Sequence, residues 1–173
     1  MVHYAAGILP ITWHEGQLLF LVGRDVRDGW SDFGGKCERV DRGSAMHTAA
    51  REFYEETYGT VTSAKALLQH MSSPDNTVLL RSSTQNGYAY YMFVTEVPYM
   101  PHLRSTFRKV LRFLQTTAVQ RVYVEKTDVQ WVTWETLQTM PKRPVFAATI
   151  ALHKETLDAI AASTPVSWRT LVL

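Results

Sequence analysis

Apolar residues dominate Ala5 to Thr12 and Gln17 to Val22. The polar triplet His14–Glu15–Gly16 near their junction predicts two strands joined by a tight turn. A polar excursion over Arg24 to Gly29 comes next, then a short segment, Trp30 to Phe33, that runs into Gly34–Gly35. From Ser44 to Tyr58 the period lengthens. Met46, Ala49, Ala50, Phe53 and Thr57 recur at helical spacing, with Ser44 as N-cap, Gly43 as the break before the helix and Gly59 as its stop. Thr77 to Arg81 and Tyr88 to Val97 predict a second hairpin across Asn86–Gly87. In its second strand Ala89, Tyr91 and Phe93 alternate with Tyr88, Tyr90, Met92 and Val94. Both faces are apolar, as in a strand central to a covered sheet.

Further along, Leu103 to Thr116 predicts an amphipathic helix with Leu103, Phe107, Val110, Leu111 and Leu114 on one side. Short strands are predicted over Val122 to Val124 and Gln130 to Thr133. A short helix is predicted over Glu135 to Met140 with Leu137 inward, then one long helix from Pro144 to about Ala162. Interspersed strands and helices favour an α/β sandwich over an all-α or all-β fold. With 173 residues, 46% hydrophobic and 20% charged, the chain suits one domain over residues 1–173 with its own core. A formal charge of +2 tolerates anionic ligands without demanding nucleic acid. The single cysteine, Cys37, points to a reducing compartment, and Met1 to Ala6 lacks the pattern of a secretion signal. No apolar run approaches the roughly eighteen residues that span a bilayer. These features set the expectation of a cytoplasmic protein without a membrane partner, as a monomer or homodimer.

The chemistry concentrates in Gly34-Gly35-Lys36-Cys37-Glu38, then Asp41, then Arg51-Glu52-Phe53-Tyr54-Glu55-Glu56. On a helix, Glu52, Glu55 and Glu56 fall within an arc of about 100°, while Phe53, Ala49 and Met46 anchor another side. Three carboxylates on one arc repel one another. Arg51 offsets part of that, and a hard divalent cation would offset more. Glutamates on a helix are usually a wet surface, and a double glycine is usually only a turn. Their combination is what points to a site.

These residues resemble the signature of the Nudix hydrolase superfamily. In that motif a glycine, five residues and a glutamate are followed, seven residues on, by Arg-Glu-hydrophobic-x-Glu-Glu-x-Gly. Gly35 matches the opening glycine; Arg51, Glu52, Phe53, Glu55 and Glu56 match the central run; Trp30 to Lys36 matches the approach. Asp41 stands in the first glutamate's place counting forward, with Glu38 as a substitute, and the loop carries two extra residues. Tyr58 replaces the closing glycine, and Gly59 comes one place late. The resemblance implies a Nudix-like α/β/α sandwich with a mixed central β-sheet. It also implies hydrolysis of a phosphoanhydride bond in a nucleoside diphosphate derivative by activated water. Gly35, Asp41, Glu52, Glu55 and Glu56 would hold Mg²⁺, or Mn²⁺ in its place. Glu52, Glu55 and Glu56, with Glu125 from a late loop preferred to Asp128, would be catalytic.

Arg24 and Lys36 are candidates to hold substrate phosphate, and Trp30, Phe33, Tyr90 and Tyr91 to stack a base, although most such aromatics are core residues. Arg104, Arg108 and Arg112 form a basic stripe that suits either solvent or an RNA backbone. The substrate is therefore a nucleotide-derived small molecule, with a capped RNA as the second candidate. A nucleotide- or RNA-binding protein without activity is the reading from another class.

Overall fold

The computed structural model describes residues 3–27, 29–117, 124–165 and 167–168. Strands β1 (Tyr4–His14) and β2 (Gln17–Asp25) form the first hairpin, turned through left-handed Glu15 and Gly16. β1 is buried along most of its length and pairs on both edges. One edge runs parallel to β6 (Ala89–Glu96), from Tyr4 opposite Ala89 to Ile11 opposite Glu96. Its other edge is shared. β2 takes Ile11 to His14, and β4 (Phe33–Lys36) takes Ala5 to Ile8. β2 meanwhile diverges to pair with β3 (Trp30–Ser31) through Gly23 and Arg24. The β3–β4 segment is thus a wedge between two separating strands. β7 (Lys126–Val132) lies on the far edge of β2, and β5 (Thr77–Ser83) pairs with β6. The sheet is mixed, as expected.

Helices α1 (Ala45–Glu56), α2 (Ala64–Met71) and α3 (Leu103–Thr116) bury Phe53, Leu67 and Phe107 in one core with Tyr4, Ala6 and Ile8 of β1. The alternate residues of β1, Ala5, Leu9 and Ile11, join a second core. There α4 (Trp134–Thr139), α5 (Pro144–Leu152) and α6 (Lys154–Ala161) contribute Leu137, Phe146 and Leu157. Two helical layers around a mixed sheet make an α/β/α sandwich.

Three expectations change. α2 is an unexpected element, although Ser63 caps it by accepting from the Ala66 N–H, and Leu67 and Met71 lie one turn apart. The single last helix divides at His153, whose ring bonds the Arg81 carbonyl of β5 at 2.8 Å and fixes the bend from outside. The strand expected over Gln130 to Thr133 begins earlier, at Lys126. The one expected over Val122 to Val124 falls mostly outside the described residues.

Candidate active site

The wedge needs glycine for space. A Cβ at Gly34 would sit 2.5 Å from Gly7 Cα and 2.7 Å from the Ala6 carbonyl, so β4 can approach β1 only without one. At Gly35 a Cβ would lie 2.5–2.7 Å from the Glu52 carboxylate. The double glycine is therefore the floor on which the acidic edge of α1 rests.

α1 starts at Ser44, whose hydroxyl accepts from the His47 N–H, and ends in left-handed Tyr58 (φ 53°) and Gly59 (φ 63°). A tyrosine in that conformation costs roughly 1–2 kcal/mol. Its ring stacks on Phe107 at 4.8 Å, and its hydroxyl donates to the Lys126 carbonyl at 2.9 Å, which offsets the cost. Tyr58, standing where the closing glycine was expected, thus ties the helix end to β7.

Asp41 was expected among the metal ligands, and the structure corrects this. Its carboxylate is 2% exposed and already accepts from Arg51 Nε and Nη2, the Thr48 hydroxyl and the Glu38 N–H, at 2.8–3.0 Å. Burial alone would raise its pKa; the Arg51 fork and the other two donors outweigh that and hold it below the usual carboxylate range. Asp41 anchors Arg51, which reaches the Lys36 carbonyl, Glu52 and Glu55, each at 3.0 Å. Glu38, 3.9 Å from Arg51 and exposed, takes no such part. Asp41→Ala would leave Arg51 and the loop without this anchor. We expect about 3 kcal/mol of destabilisation, read as a fall of roughly 6–12 °C in Tm.

The acidic edge is less open than its helical arc suggests. Glu55 is exposed and bound to Arg51. Glu52 is nearly buried, and burial, partly offset by Arg51, raises its pKa to about 7. Glu56 is 3% exposed; burial, opposed by Lys126, raises it to about 8. Its Oε2 accepts from the Gly34 N–H at 2.7 Å. Its Oε1 lies 3.3 Å from Lys126 Nζ but makes no hydrogen bond of good geometry, so that contact is a charge pair only.

Lys126 lies outside every expectation drawn from the sequence. It is fully buried and crosses from β7 over Gly23, where a Cβ would meet its Cδ at 2.9 Å. Its ammonium donates to Asp25 Oδ1 (3.0 Å), the Ser31 hydroxyl (2.6 Å) and the Asp32 carbonyl (3.0 Å). One cation thus joins β2, the wedge and α1.

A cavity of about 460 Å³ opens beside this cluster. The wedge and its loop contribute Ser31, Asp32, Gly34, Gly35, Lys36 and Glu38; α1 contributes Glu52; and the loop before β7 contributes Glu125. Thr84 to Asn86 of the β5–β6 turn, Tyr90 of β6, and Arg143, Val145 and Phe146 around the start of α5 form the remaining wall with Ala5. Asp32 is 4% exposed and accepts a short hydrogen bond from the Tyr90 hydroxyl. Burial, partly offset by Tyr90 and Lys126, raises its pKa to about 6. An aspartate between the apolar ends of the Trp30–Phe33 segment was its sequence signal.

Of the expected substrate contacts, Lys36 and Tyr90 line this cavity. Four others do not. Phe33 is wholly buried against Phe53, ring centroids 5.2 Å apart. Tyr91 projects to the opposite face of β6 from Tyr90 and packs edge-on against Tyr4. Trp30 packs on the second core. Arg24 is exposed on β2, and a bulge between Arg24 and Asp25 turns Asp25 rather than Arg24 toward Lys126. Glu125 faces the cavity, whereas Asp128 is held by Arg104 and Arg108 at 2.6 and 2.8 Å.

Among the described residues no three acidic, histidine or cysteine side chains converge as a ligand set, and Glu52 and Glu56 are paired with Arg51 and Lys126. The donor chemistry nevertheless fits a hard divalent cation. Glu52 lies against the space a Gly35 side chain would fill, and Glu56 Oε1 is buried without a hydrogen-bond donor.

No family model matches the chain. Over 59 residues, 31% of this chain, it is 44% identical to the uncharacterized protein L534 of Acanthamoeba polyphaga mimivirus; the match spans only 19% of that protein. Among solved structures, Shewanella oneidensis NrtR is 16% identical with a TM-score of 0.53. That match covers 91% of this chain and 63% of NrtR. The NUDIX domain of NrtR, solved with ADP ribose, is 16% identical over 89% of this chain and 87% of the domain, with a TM-score of 0.52. RenU, a Nudix hydrolase from M. smegmatis, is 15% identical over 92% of this chain and 88% of RenU, with a TM-score of 0.53. The chain has the Nudix fold.

Proposed function

We propose that this chain is a Mg²⁺-dependent hydrolase of a phosphoanhydride bond in a nucleoside diphosphate derivative, with water as nucleophile. The carrying observation is Glu52, a nearly buried carboxylate of α1 that rests on Gly35 at the mouth of the cavity. Glu52 faces the cavity as a carboxylate, a group able to accept the proton that an attacking water gives up. Water attacks phosphorus, the anhydride P–O bond breaks, the leaving phosphate departs with the bond pair, and Glu52 receives the water proton. Lys36 and Arg143 supply positive charge along the phosphates, and Glu125 completes the acidic side. Glu52, Glu55, Glu56 and the Gly35 carbonyl would hold Mg²⁺, which when bound neutralises phosphate oxygens and acidifies water. The ADP ribose in the NrtR domain, a protein of the same fold, supports a nucleotide-derived ligand.

Capped RNA ranks second. Arg104 and Arg108 of the basic stripe are spent on Asp128, which favours a small substrate. Product analysis on ADP-ribose, dinucleoside polyphosphates, nucleoside triphosphates and cap-labelled RNA, with and without Mg²⁺, tests the reading. Metal-dependent release of a nucleoside monophosphate or diphosphate is expected. Metal-independent binding without any product would replace it with a binding protein.

A further inference from the structure

Asp32 is a buried carboxylate whose use the proposed chemistry leaves unexplained. It lines the cavity beyond the acidic edge, and Tyr90 donates to Oδ2. Its Oδ1 accepts no hydrogen bond from the described residues, while its carbonyl, on the other side, takes the Lys126 ammonium. Oδ1 is not one of the sealed polar atoms left without a partner, so it stays reachable from the cavity, where the Arg143 charge also acts on the carboxylate. The same cavity is lined by Ala5, Val145 and the Tyr90 ring, apolar surface that suits a flat ligand, and by polar Thr84 to Asn86 and Arg143.

We propose that the Asp32–Tyr90 pair reads the base of the substrate, and that the base it selects is guanine. An ionised carboxylate only accepts hydrogen bonds, and Tyr90 occupies one of its lone pairs. Guanine presents two adjacent donors, N1–H and the exocyclic N2 amino group, spaced for the two oxygens of one carboxylate. Adenine and cytosine pair one amino donor with a ring-nitrogen acceptor, which would face the carboxylate lone pair to lone pair. Uracil places its single N–H between two carbonyls. Each would leave a buried acceptor unpaired or opposed. The Asp32 pKa of about 6 leaves it mainly ionised at neutral pH, in keeping with an acceptor role.

This inference rests on reading the cavity as a nucleotide site, and its test separates the two. Titration calorimetry with GDP, inosine diphosphate, ADP, CDP and UDP on the whole chain is run beside hydrolysis of guanine- and adenine-containing dinucleotide substrates. GDP is expected to bind about tenfold or more tightly than ADP, CDP or UDP. Inosine diphosphate, which lacks only the amino group, should bind about tenfold more weakly than GDP, a comparison that needs no variant. Asp32→Asn should bring the bases to near-equal affinity. Equal affinity for all five diphosphates on the unaltered chain, or no binding of any, would overturn the assignment. Hydrolysis without base preference would sink guanine selection and leave the hydrolase; guanine-selective binding without hydrolysis would do the reverse.

Discussion

Glu56→Gln is expected to lower phosphoanhydride hydrolysis by roughly 10²- to 10⁴-fold while the circular dichroism spectrum stays that of the unaltered protein. The exchange keeps the shape of the side chain, so an amide oxygen can still accept from the Gly34 N–H that holds the wedge against α1. It removes the carboxylate and places an amide near Lys126 Nζ, in a position buried from solvent. Glu56 would then contribute neither charge to a divalent cation nor a partner to the buried ammonium. Glu55→Gln should act in the same direction with a smaller loss, because Glu55 is exposed and its present partner, Arg51, keeps three other acidic contacts. Turnover of Glu56→Gln equal to that of the unaltered enzyme at limiting Mg²⁺ would remove Glu56 from the site.

The difference between Glu55 and Glu56 shows how far the sequence can be read. Helical spacing placed Glu52, Glu55 and Glu56 on one arc, and α1 carries them there, but an arc says nothing about depth. Depth depends on what packs against the helix: here a wedge with no Cβ at Gly34 or Gly35, and a lysine arriving from a distant strand, β7. The same limit explains the aromatics. Alternation along β6 puts Tyr90 and Tyr91 on opposite faces, yet both faces are apolar, so the pattern could not say which one borders the cavity. Local signals fared better where the chain closes on itself. Leu103–Thr116 is the helix its periodicity predicts, and the first hairpin turns at Glu15–Gly16 as expected. The helix expected to continue from Pro144 to Ala162 failed because its break comes from a contact with β5, with no glycine or proline to mark it.

Lys126→Met carries the largest expected loss of stability. Methionine fits the apolar stem of the lysine and preserves its packing beside Gly23 and Phe33, so the change isolates the charge. Without the ammonium, Asp25 and Glu56 lose their shared cation, and the Ser31 hydroxyl and Asp32 carbonyl lose a donor. Removing one member of a buried charge cluster costs about 3–5 kcal/mol, a fall of roughly 6–20 °C in Tm at this chain length. The sign of its pH dependence comes from Glu56. Burial raises that carboxyl to about 8 even with Lys126 beside it, and removing the cation raises it further. A raised carboxyl contributes stability that is fully present below its unfolded pKa near 4.5 and is lost as pH climbs through the folded value. In metal-free buffer the deficit of Lys126→Met should therefore stay flat from pH 5 to about pH 7 and grow as pH climbs through and above 8, measured by urea unfolding at each pH. A deficit that stays flat above pH 8 as well would mean that Lys126 acts through its hydrogen bonds to Ser31 and the Asp32 carbonyl and not through Glu56. The wedge would then be held without electrostatic help from Glu56.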